Sequence, residues 1–355
     1  MSALLFGQSQ VVITPPFGTL LVGYPERDHG CEGVHDDLYA KVWAFSDGRQ
    51  EAVLAFLDLA GLDRETTRRV RDRVAAAVQT SPRHIHLNYT HSHSAPASFP
   101  AALDNMYQPA ADPVLEETLV RHIAGAILVA LRSLRPGRLG FGMGHLAGIC
   151  SNRRDPAKPS DQEVAVVRIE EADGHLAGVI MKYACHPTVL SQDNYLVSRD
   201  FPGYACDAVA TIMGNSVQVA YGQGTAADTS TRWTRRGNTF AEAERMGTML
   251  AGEVLRVLEG IETSPELELK CASRELAVPT RKFPSVAEAE QRLSAERDRL
   301  ERLHAAGAPY GQVRTLQVAA ASSWRSSWAG QLRDPSPLGR GVEDGSDSLR
   351  EDQRS

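Results

Sequence analysis

The sequence lacks the features of several large protein classes, and each absence narrows its identity. It has five cysteines, an odd number without a CxxC pair, which argues against a disulfide framework and favours a reducing compartment. The formal net charge of −6 gives no basic excess for nucleic acid. No apolar run reaches membrane-spanning length, and the N-terminus has no signal-peptide pattern. We therefore expect a soluble cytoplasmic protein with no nucleic-acid partner and no transmembrane segment.

What is present indicates an ordinary globular α/β protein. The composition is 42% hydrophobic and 23% charged over 355 residues, enough for one large α/β domain or two small ones. The predicted strands are 11–16, 41–45, 52–57, a strand from 85, 139–148, 162–169, 176–183 and 217–221, and the pattern at 267–278 allows one more. The predicted helices are 63–78, 113–134, 198–212, 239–258 and 286–304. We predict an α/β fold, a mixed β-sheet core with flanking helices. The sequence gives no basis for predicting an oligomeric state.

A His-Ser-His loop follows the strand that begins at Ile85. In an extended segment, residues i and i+2 point the same way, so His91 and His93 are expected to face one pocket. Neutral imidazole binds zinc, and its pKa near neutrality also suits proton transfer. The same motif is compatible with two solvated histidines at a strand end, so the motif alone leaves both interpretations open.

Four polar loops, each placed after a predicted strand, favour the site interpretation. The residues concerned are His91 with His93, Asn152 with Arg153, His186, and Asp228 with Ser230. Enzymes of the α/β class build sites from loops of this kind. Histidines from two separate loops would supply nitrogen ligands for zinc, and a carboxylate or another histidine should complete the set. The arginine could stabilise a developing oxyanion or bind a polar head group.

Each of these residues also has a purely structural interpretation. His186 precedes a proline and could be an ordinary loop histidine, and Arg153 with Arg154 could be a solvated basic pair. Asp228 could cap the turn that follows it. Coincidence in all four loops is less probable than coincidence in one, which favours a shared site.

Nine short stretches, in the same order along the chain, carry a family resemblance. They are ITPP (13–16), GY (23–24), HDDLYA (35–40), LDL (57–59), THSHSAP (90–96), NR (152–153), ACHPT (184–188), DFPG (200–203) and QGTAADTS (223–230). Over roughly residues 10 to 260, the chain resembles the N-terminal catalytic domain of the neutral/alkaline non-lysosomal ceramidases.

The resemblance implies a zinc-dependent amidase that cleaves the N-acyl bond of ceramide. It implies that His91 and His186 bind Zn²⁺, and that His93 and Arg153 line the substrate end of the site. It also implies a substrate contact for Ser230, which lies in one stretch with Asp228. Bound zinc would lower the pKa of a water from about 15.7 toward 7 and polarise the amide carbonyl.

The chain departs from the family pattern at three places. Ala95 stands where the family usually has glycine, and Ala227 precedes Asp228 where glycine is usual, with no proline after Ser230. The family's zinc shell is completed by a Glu, in a strand-then-Gly-Glu segment, and a later Tyr, both well downstream of the charged helix. No strand of that kind follows residue 321, and Glu343 is not assigned the ligand role.

The last 35 residues are rich in Ser, Arg, Gly and Asp, with four aliphatic side chains larger than alanine. Such a segment cannot bury enough apolar surface to offset its ordering entropy. We predict a catalytic domain over 1–320, incomplete at its C-terminal end, and a disordered tail over 321–355. The tail composition is typical of out-of-frame translation, which indicates truncation or a frameshift.

Two hypotheses from different classes follow. In the first, the chain is a zinc-dependent amidohydrolase that uses a metal-activated water on a small-molecule or lipid amide. In the second, it is a non-catalytic remnant or binding protein with the same fold and an incomplete zinc site. A purely structural α/β protein is disfavoured, because it leaves the four polar loops without a role. The acyl substrate is not specified, and the lack of an amphipathic basic helix leaves a more soluble amide open.

Overall fold

The computed structural model describes residues 2–24, 26–78, 80–97, 112–274, 276–277, 284–308, 312–313 and 316. Internal contacts divide the chain into one unit over Met1–Glu275 and another over Leu276–Ser355. The tail predicted over 321–355 lies outside the described residues, and the domain boundary at 320 stays a prediction. No helix in the described ranges is long and apolar enough to cross a membrane.

The first unit is built on one mixed eight-stranded sheet. Its strands are β2 (Leu5–Val12), β4 (Tyr39–Ser46), β5 (Glu51–Leu57), β6 (Ile85–Tyr89), β7 (Arg135–His145), β9 (Glu163–Glu171), β10 (Leu176–Tyr183) and β12 (Gln218–Gln223). Their order is β12-β10-β9-β7-β2-β4-β5-β6. The pairs β5–β6 and β10–β12 are parallel, and the other pairs are antiparallel. The predicted mixed sheet is therefore confirmed.

Short strand pairs and helices complete the described elements. The short strands are β1 (Ser2–Ala3), β3 (Gly33–Val34), β8 (Ser151–Asn152), β11 (Leu196–Val197), β13 (Thr229–Ser230) and β14 (Glu266–Leu267), paired β1–β14, β3–β11 and β8–β13. The helices of the first unit are α1 (Arg64–Val78), α2 (Pro113–Arg132), α3 (Asp200–Met213) and α4 (Phe240–Leu258), and a 3₁₀ turn spans Pro82–His84. The second unit contains α5 (Val286–Ala305). A capping box between Ser285 and Glu288 stabilises its N-terminus.

The large sheet folds back on itself between two outer layers of helices. Alternate side chains of β4, β5 and β6 pack against α1 and α2, and those of β9, β10 and β12 pack against α3 and α4. The opposite faces of the two halves meet in an inner cluster that contains Trp43, Phe56 and Ile180. The two end strands of the sheet are joined by the Asn88 side chain, which bonds the backbone of Gln223 at 2.8 and 3.2 Å. The result is a four-layer α/β/β/α arrangement.

All five predicted helices are present, with ends within two residues of the predicted ones. The first predicted strand, 11–16, was wrong in position: β2 ends at Val12, and most of it lies N-terminal to the prediction. For the possible strand over 267–278, the described residues contain only the two-residue strand Glu266–Leu267.

Candidate metal centre

The site lies where the two parallel strand pairs end. β6 leads into the His91–His93 loop, β10 leads into His186, and β12 leads into the loop that carries Asp228 and Ser230. Each half of the folded sheet thus contributes one parallel pair, and the carboxyl ends of all these strands point to the same edge. Side chains on loops at such an edge converge even when they are far apart in sequence.

Three imidazoles form the centre of the site. The ligating atoms of His91, His93 and His186 all lie within 4.8 Å of one another. Their ring centroids are 4.8 to 5.6 Å apart, with the rings nearly perpendicular to one another. Among the residues that the structure describes, no carboxylate or thiolate joins this group. The arrangement offers three nitrogen donors to a single cation.

Backbone carbonyls fix the tautomer of two of the histidines. His91 Nδ1 lies 2.6 Å from the carbonyl oxygen of Ala60, and His186 Nδ1 lies 2.6 Å from that of Ala226. A carbonyl oxygen only accepts hydrogen bonds, so Nδ1 carries the proton and Nε2 keeps its lone pair. Metal-binding histidines use this same anchoring of their second nitrogen.

All three imidazoles are held in the neutral form. Burial lowers the pKa of His91. Burial, the repulsion from His91 if it were also protonated, and the charge of Arg153 lower the pKa of His186 to about 4. Burial also holds the pKa of His93 well below its usual value, with further lowering from its histidine neighbours and from Arg27. Neutral imidazole is the form that binds a metal, so the site fits a divalent cation such as zinc.

His93 differs from the other two histidines in its surroundings. Its Nδ1 is buried and has no hydrogen-bond partner among the described residues. Gly23 lies directly against it, and the Tyr24 ring packs edge-to-face with the imidazole, with the two ring centroids 5.1 Å apart. Arg27 donates a hydrogen bond of 2.6 Å to the His93 carbonyl oxygen. His93 is thus held by packing and through its backbone, and within the described residues no carbonyl oxygen anchors its Nδ1 as in the other two histidines.

The loop geometry that we expected for His91 and His93 was wrong, although both side chains reach one pocket. β6 ends at Tyr89, and His91 has a positive φ of 66°. A side chain in this left-handed region breaks the alternation of an extended strand. The imidazoles converge because the loop curls back toward the end of β5, where the His91 N–H donates to the Leu59 carbonyl oxygen at 3.0 Å.

A buried serine holds this loop to the start of α3. Ser198 N donates to the Ser94 carbonyl oxygen at 2.9 Å, and the Ser92 hydroxyl donates to the Ser198 carbonyl oxygen at 2.7 Å. The Ser198 hydroxyl in turn donates to Asp36 at 2.6 Å, and Arg199 donates to the same carboxylate. The structure thus places Asp36, which lies in the HDDLYA stretch, in the support of the histidine loop.

The remaining predicted residues lie on two paired loops beside His186. β8 and β13 pair Asn152 with Thr229, and a single β-bridge joins Ser230 to His186. Arg153 N donates to the Asp228 carbonyl oxygen at 2.7 Å, and the Arg153 charge contributes to the lowered pKa of each histidine. The structure therefore brings the four predicted loops together. The roles of Arg153, Asp228 and Ser230 stay predictions.

Comparison with known proteins gives a family match over most of the first unit. The family described as neutral/alkaline non-lysosomal ceramidase, N-terminal, has a model that matches residues 5–232. The neutral ceramidase of Pseudomonas aeruginosa is 26% identical over 201 residues, which cover 52% of this chain and 30% of that protein. The neutral ceramidase of Mycobacterium tuberculosis is 25% identical over 207 residues, which cover 52% of this chain and 32% of that protein.

Two solved structures share the fold. A crystal structure of neutral ceramidase from Pseudomonas aeruginosa superposes with a TM-score of 0.65 at 21% identity, covering 73% of this chain and 45% of that one. A ceramidase complexed with C2 gives the same TM-score and identity over 73% of this chain and 44% of that one. This chain spans about a third of the length of the curated relatives it matches.

Proposed function

The chain belongs to the neutral/alkaline non-lysosomal ceramidase family, whose model matches residues 5–232, and on this premise we propose that it is a zinc-dependent hydrolase of an N-acyl amide bond. One observation carries the proposal: three neutral imidazoles meet in one group, with ligating atoms within 4.8 Å. The curated relatives named as neutral ceramidases support a ceramide-like lipid amide, or a more soluble N-acyl amide, as the substrate class.

The anchoring of the histidines supports a division of roles. His91 and His186 would hold the ion, because each has its Nδ1–H fixed by a backbone carbonyl. His93 has no such anchor, which supports a separate role for this histidine at the substrate end of the site. Bound zinc would supply Lewis-acid polarisation of the amide carbonyl and acidify a water.

The neighbouring loops supply charge and hydrogen bonds for the same reaction. Arg153 would stabilise the negative charge that develops on the amide oxygen, since its charge already acts on all three histidines. Asp228 supports Arg153 through its carbonyl oxygen. The Ser230 hydroxyl, beside His186, would contact the substrate.

A second candidate, a metal-binding protein without turnover, follows from the donor set. Within the described ranges no carboxylate completes the three histidines. Zinc binding without hydrolysis would favour this candidate.

We further propose a cytoplasmic location. All five cysteines are free, and four of them are buried, as expected for a protein of a reducing compartment. Fractionation of the source cells tests this proposal, and recovery of the protein outside the cytoplasm would refute it.

The decisive experiment measures metal content and hydrolysis together. Purified full-length protein, His91→Ala and His186→Ala are analysed for bound zinc and assayed on N-acyl amides of graded chain length, with and without added zinc. We expect wild type to bind one zinc and to release fatty acid only with zinc. Either alanine variant should lose more affinity than the roughly 10–100-fold cost of an outer-shell change. Wild type without zinc, or equal zinc in all three proteins, would refute the site.

A further inference from the structure

One glutamine side chain lies between the two loops that carry the proposed zinc ligands. Gln223 is the last residue of β12, and its Nε2 donates to the Thr90 carbonyl oxygen at 3.0 Å and to the Cys185 carbonyl oxygen at 2.9 Å. Thr90 directly precedes His91, and Cys185 directly precedes His186. A single primary amide thus bonds the peptide groups next to both histidines.

The orientation of this amide is determined by its partners. Nε2 contacts two carbonyl oxygens, which can only accept, while Oε1 accepts from Cys185 N at 3.2 Å. A flipped amide would place its oxygen against two carbonyl oxygens and its NH₂ against an N–H donor. These three bonds are therefore satisfied in one orientation only.

The backbone of Gln223 is fixed as well. The Asn88 side chain accepts from Gln223 N at 2.8 Å and donates to the Gln223 carbonyl oxygen at 3.2 Å. Asn88 lies on β6 and Gln223 on β12, the two ends of the strand order, so no continuous strand pairing sets their distance. Asn88 and Gln223 together join the half of the sheet that delivers His91 to the half that delivers His186.

We infer that Gln223 is a positioning residue, which sets the distance between His91 and His186 by hydrogen-bonding the peptide group before each of them. This inference rests on the proposed function, since it concerns the geometry of the zinc site. Outer-shell groups that orient metal ligands typically contribute about 10–100-fold to metal affinity, and we expect an effect of that size here.

The chain supplies a matched control on the same strand. Gln218 begins β12, and its Nε2 donates to the Val42 carbonyl oxygen at 3.2 Å, also across the folded sheet. Its bond has the same chemistry as those of Gln223 but lies at the other end of the strand. Substitutions at Gln218 therefore report the cost of losing such a bond away from the histidines.

The test compares Gln223→Glu and Gln223→Met with Gln218→Glu and Gln218→Met in the full-length protein. Gln223→Glu keeps an acceptor for Cys185 N and removes both donors, and Gln223→Met removes every polar atom at similar length. Zinc affinity is measured by competition with a chromophoric chelator, and the visible spectrum at saturating Co²⁺ reports coordination geometry. Thermal unfolding without metal separates a change in stability from a change in the site.

We expect the Gln223 variants to bind zinc about 10–100-fold more weakly and to shift the Co²⁺ spectrum, while the Gln218 variants stay within about twofold of wild type. Wild-type affinity and spectrum in the Gln223 variants would overturn the inference, and so would an equal loss in both pairs. Failure of wild type itself to bind zinc would instead refute the proposed function.

A measurement on wild type alone keeps the inference testable if the Gln223 variants do not fold. In ¹⁵N-glutamine-labelled protein, we expect the Gln223 side-chain amide protons to exchange slowly and to shift when zinc is added. Fast exchange without a zinc-induced shift would overturn the inference.

Discussion

At the scale of single residues, the histidines of the site differ in what holds their second nitrogen. His91 and His186 each have Nδ1 fixed by a carbonyl oxygen, whereas His93 is held by packing against Gly23 and Tyr24 and by the bond from Arg27 to its backbone. Packing against a residue without a side chain is sensitive to any added atom. The position of His93 can therefore be tested by adding a single methyl group at Gly23.

Gly23→Ala should displace His93 as well as strain the backbone. Gly23 has a φ of +99°, and an added Cβ would lie 2.3 Å from His93 Nδ1. We expect the free energy of unfolding to fall by roughly 1–2 kcal/mol because of the left-handed backbone and by about 1–3 kcal/mol more because of overpacking. We also expect the rate of amide hydrolysis to fall. Chemical denaturation and the amide assay measure the two effects.

Gly18→Ala is the control for the cost of placing alanine in a left-handed backbone conformation. Gly18 also has a positive φ, +82°, but a Cβ there would meet nothing within 4 Å. We expect a loss of roughly 1–2 kcal/mol of stability with activity unchanged. Equal loss of activity in the two variants would show that the contact with His93 is unimportant.

At the scale of elements, local pattern was sufficient for the helices and insufficient for the strands that depend on distant partners. The apolar stripe of α4 predicted its limits closely, because burial against the sheet repeats with the helical period. β2 was placed too late because its middle, Gly-Gln-Ser-Gln, lacks β-branched and aromatic residues. These residues form a strand because β4 pairs along the whole length of β2, and Gly7 lies against the Ala130 carbonyl oxygen of α2.

The same distinction applies to the site. The four polar loops were predictable, because each follows a strand pattern in the sequence. The hydrogen bonds between Asn88 and Gln223 were not predictable, because they join residues 135 positions apart and depend on how the sheet folds back. A glutamine at a strand end carries no local signal for such a role.

An acidic side chain between α1 and α2 predicts a pH dependence of stability. Glu117 on α2 accepts hydrogen bonds from Arg121 at 2.6 Å, Arg69 at 2.6 Å and Arg73 at 3.1 Å, the last two on α1. These bonds, led by that of Arg121, lower the pKa of Glu117 from 4.5 to about 2. The unfolded chain therefore takes up the proton first as the pH falls.

The stabilisation from Glu117 should be complete above pH 4.5 and lost as the pH falls toward about 2. We expect the difference in urea midpoint between wild type and Glu117→Gln to shrink from about pH 6 to about pH 3 and to shrink in high salt. Glu259→Gln, an exposed change outside this cluster, is the control. A difference that stays constant with pH would refute the ion-pair explanation.

At the scale of the whole first unit, the proposed metal would join two halves of one folded sheet. His91 follows β6 in one half, and His186 follows β10 in the other. The halves already share an inner apolar cluster and the Asn88–Gln223 bonds. An ion held by both histidines adds a link that exists only in the folded state, so its binding free energy becomes folding free energy.

Zinc should therefore stabilise the protein, and a hard cation should not. Zinc at a free concentration about 100-fold above its dissociation constant should add about 2.7 kcal/mol, raising the thermal midpoint over that of chelator-treated protein. Mg²⁺ prefers oxygen ligands in an octahedral shell, so three imidazoles should give no shift with it. In scanning calorimetry with and without zinc, the zinc-induced rise in the thermal midpoint should disappear in His91→Ala and in His186→Ala alike. Either change removes the link from one half of the sheet. A rise that survives in one of these variants, or an equal rise with Mg²⁺, would show that zinc acts elsewhere on the molecule.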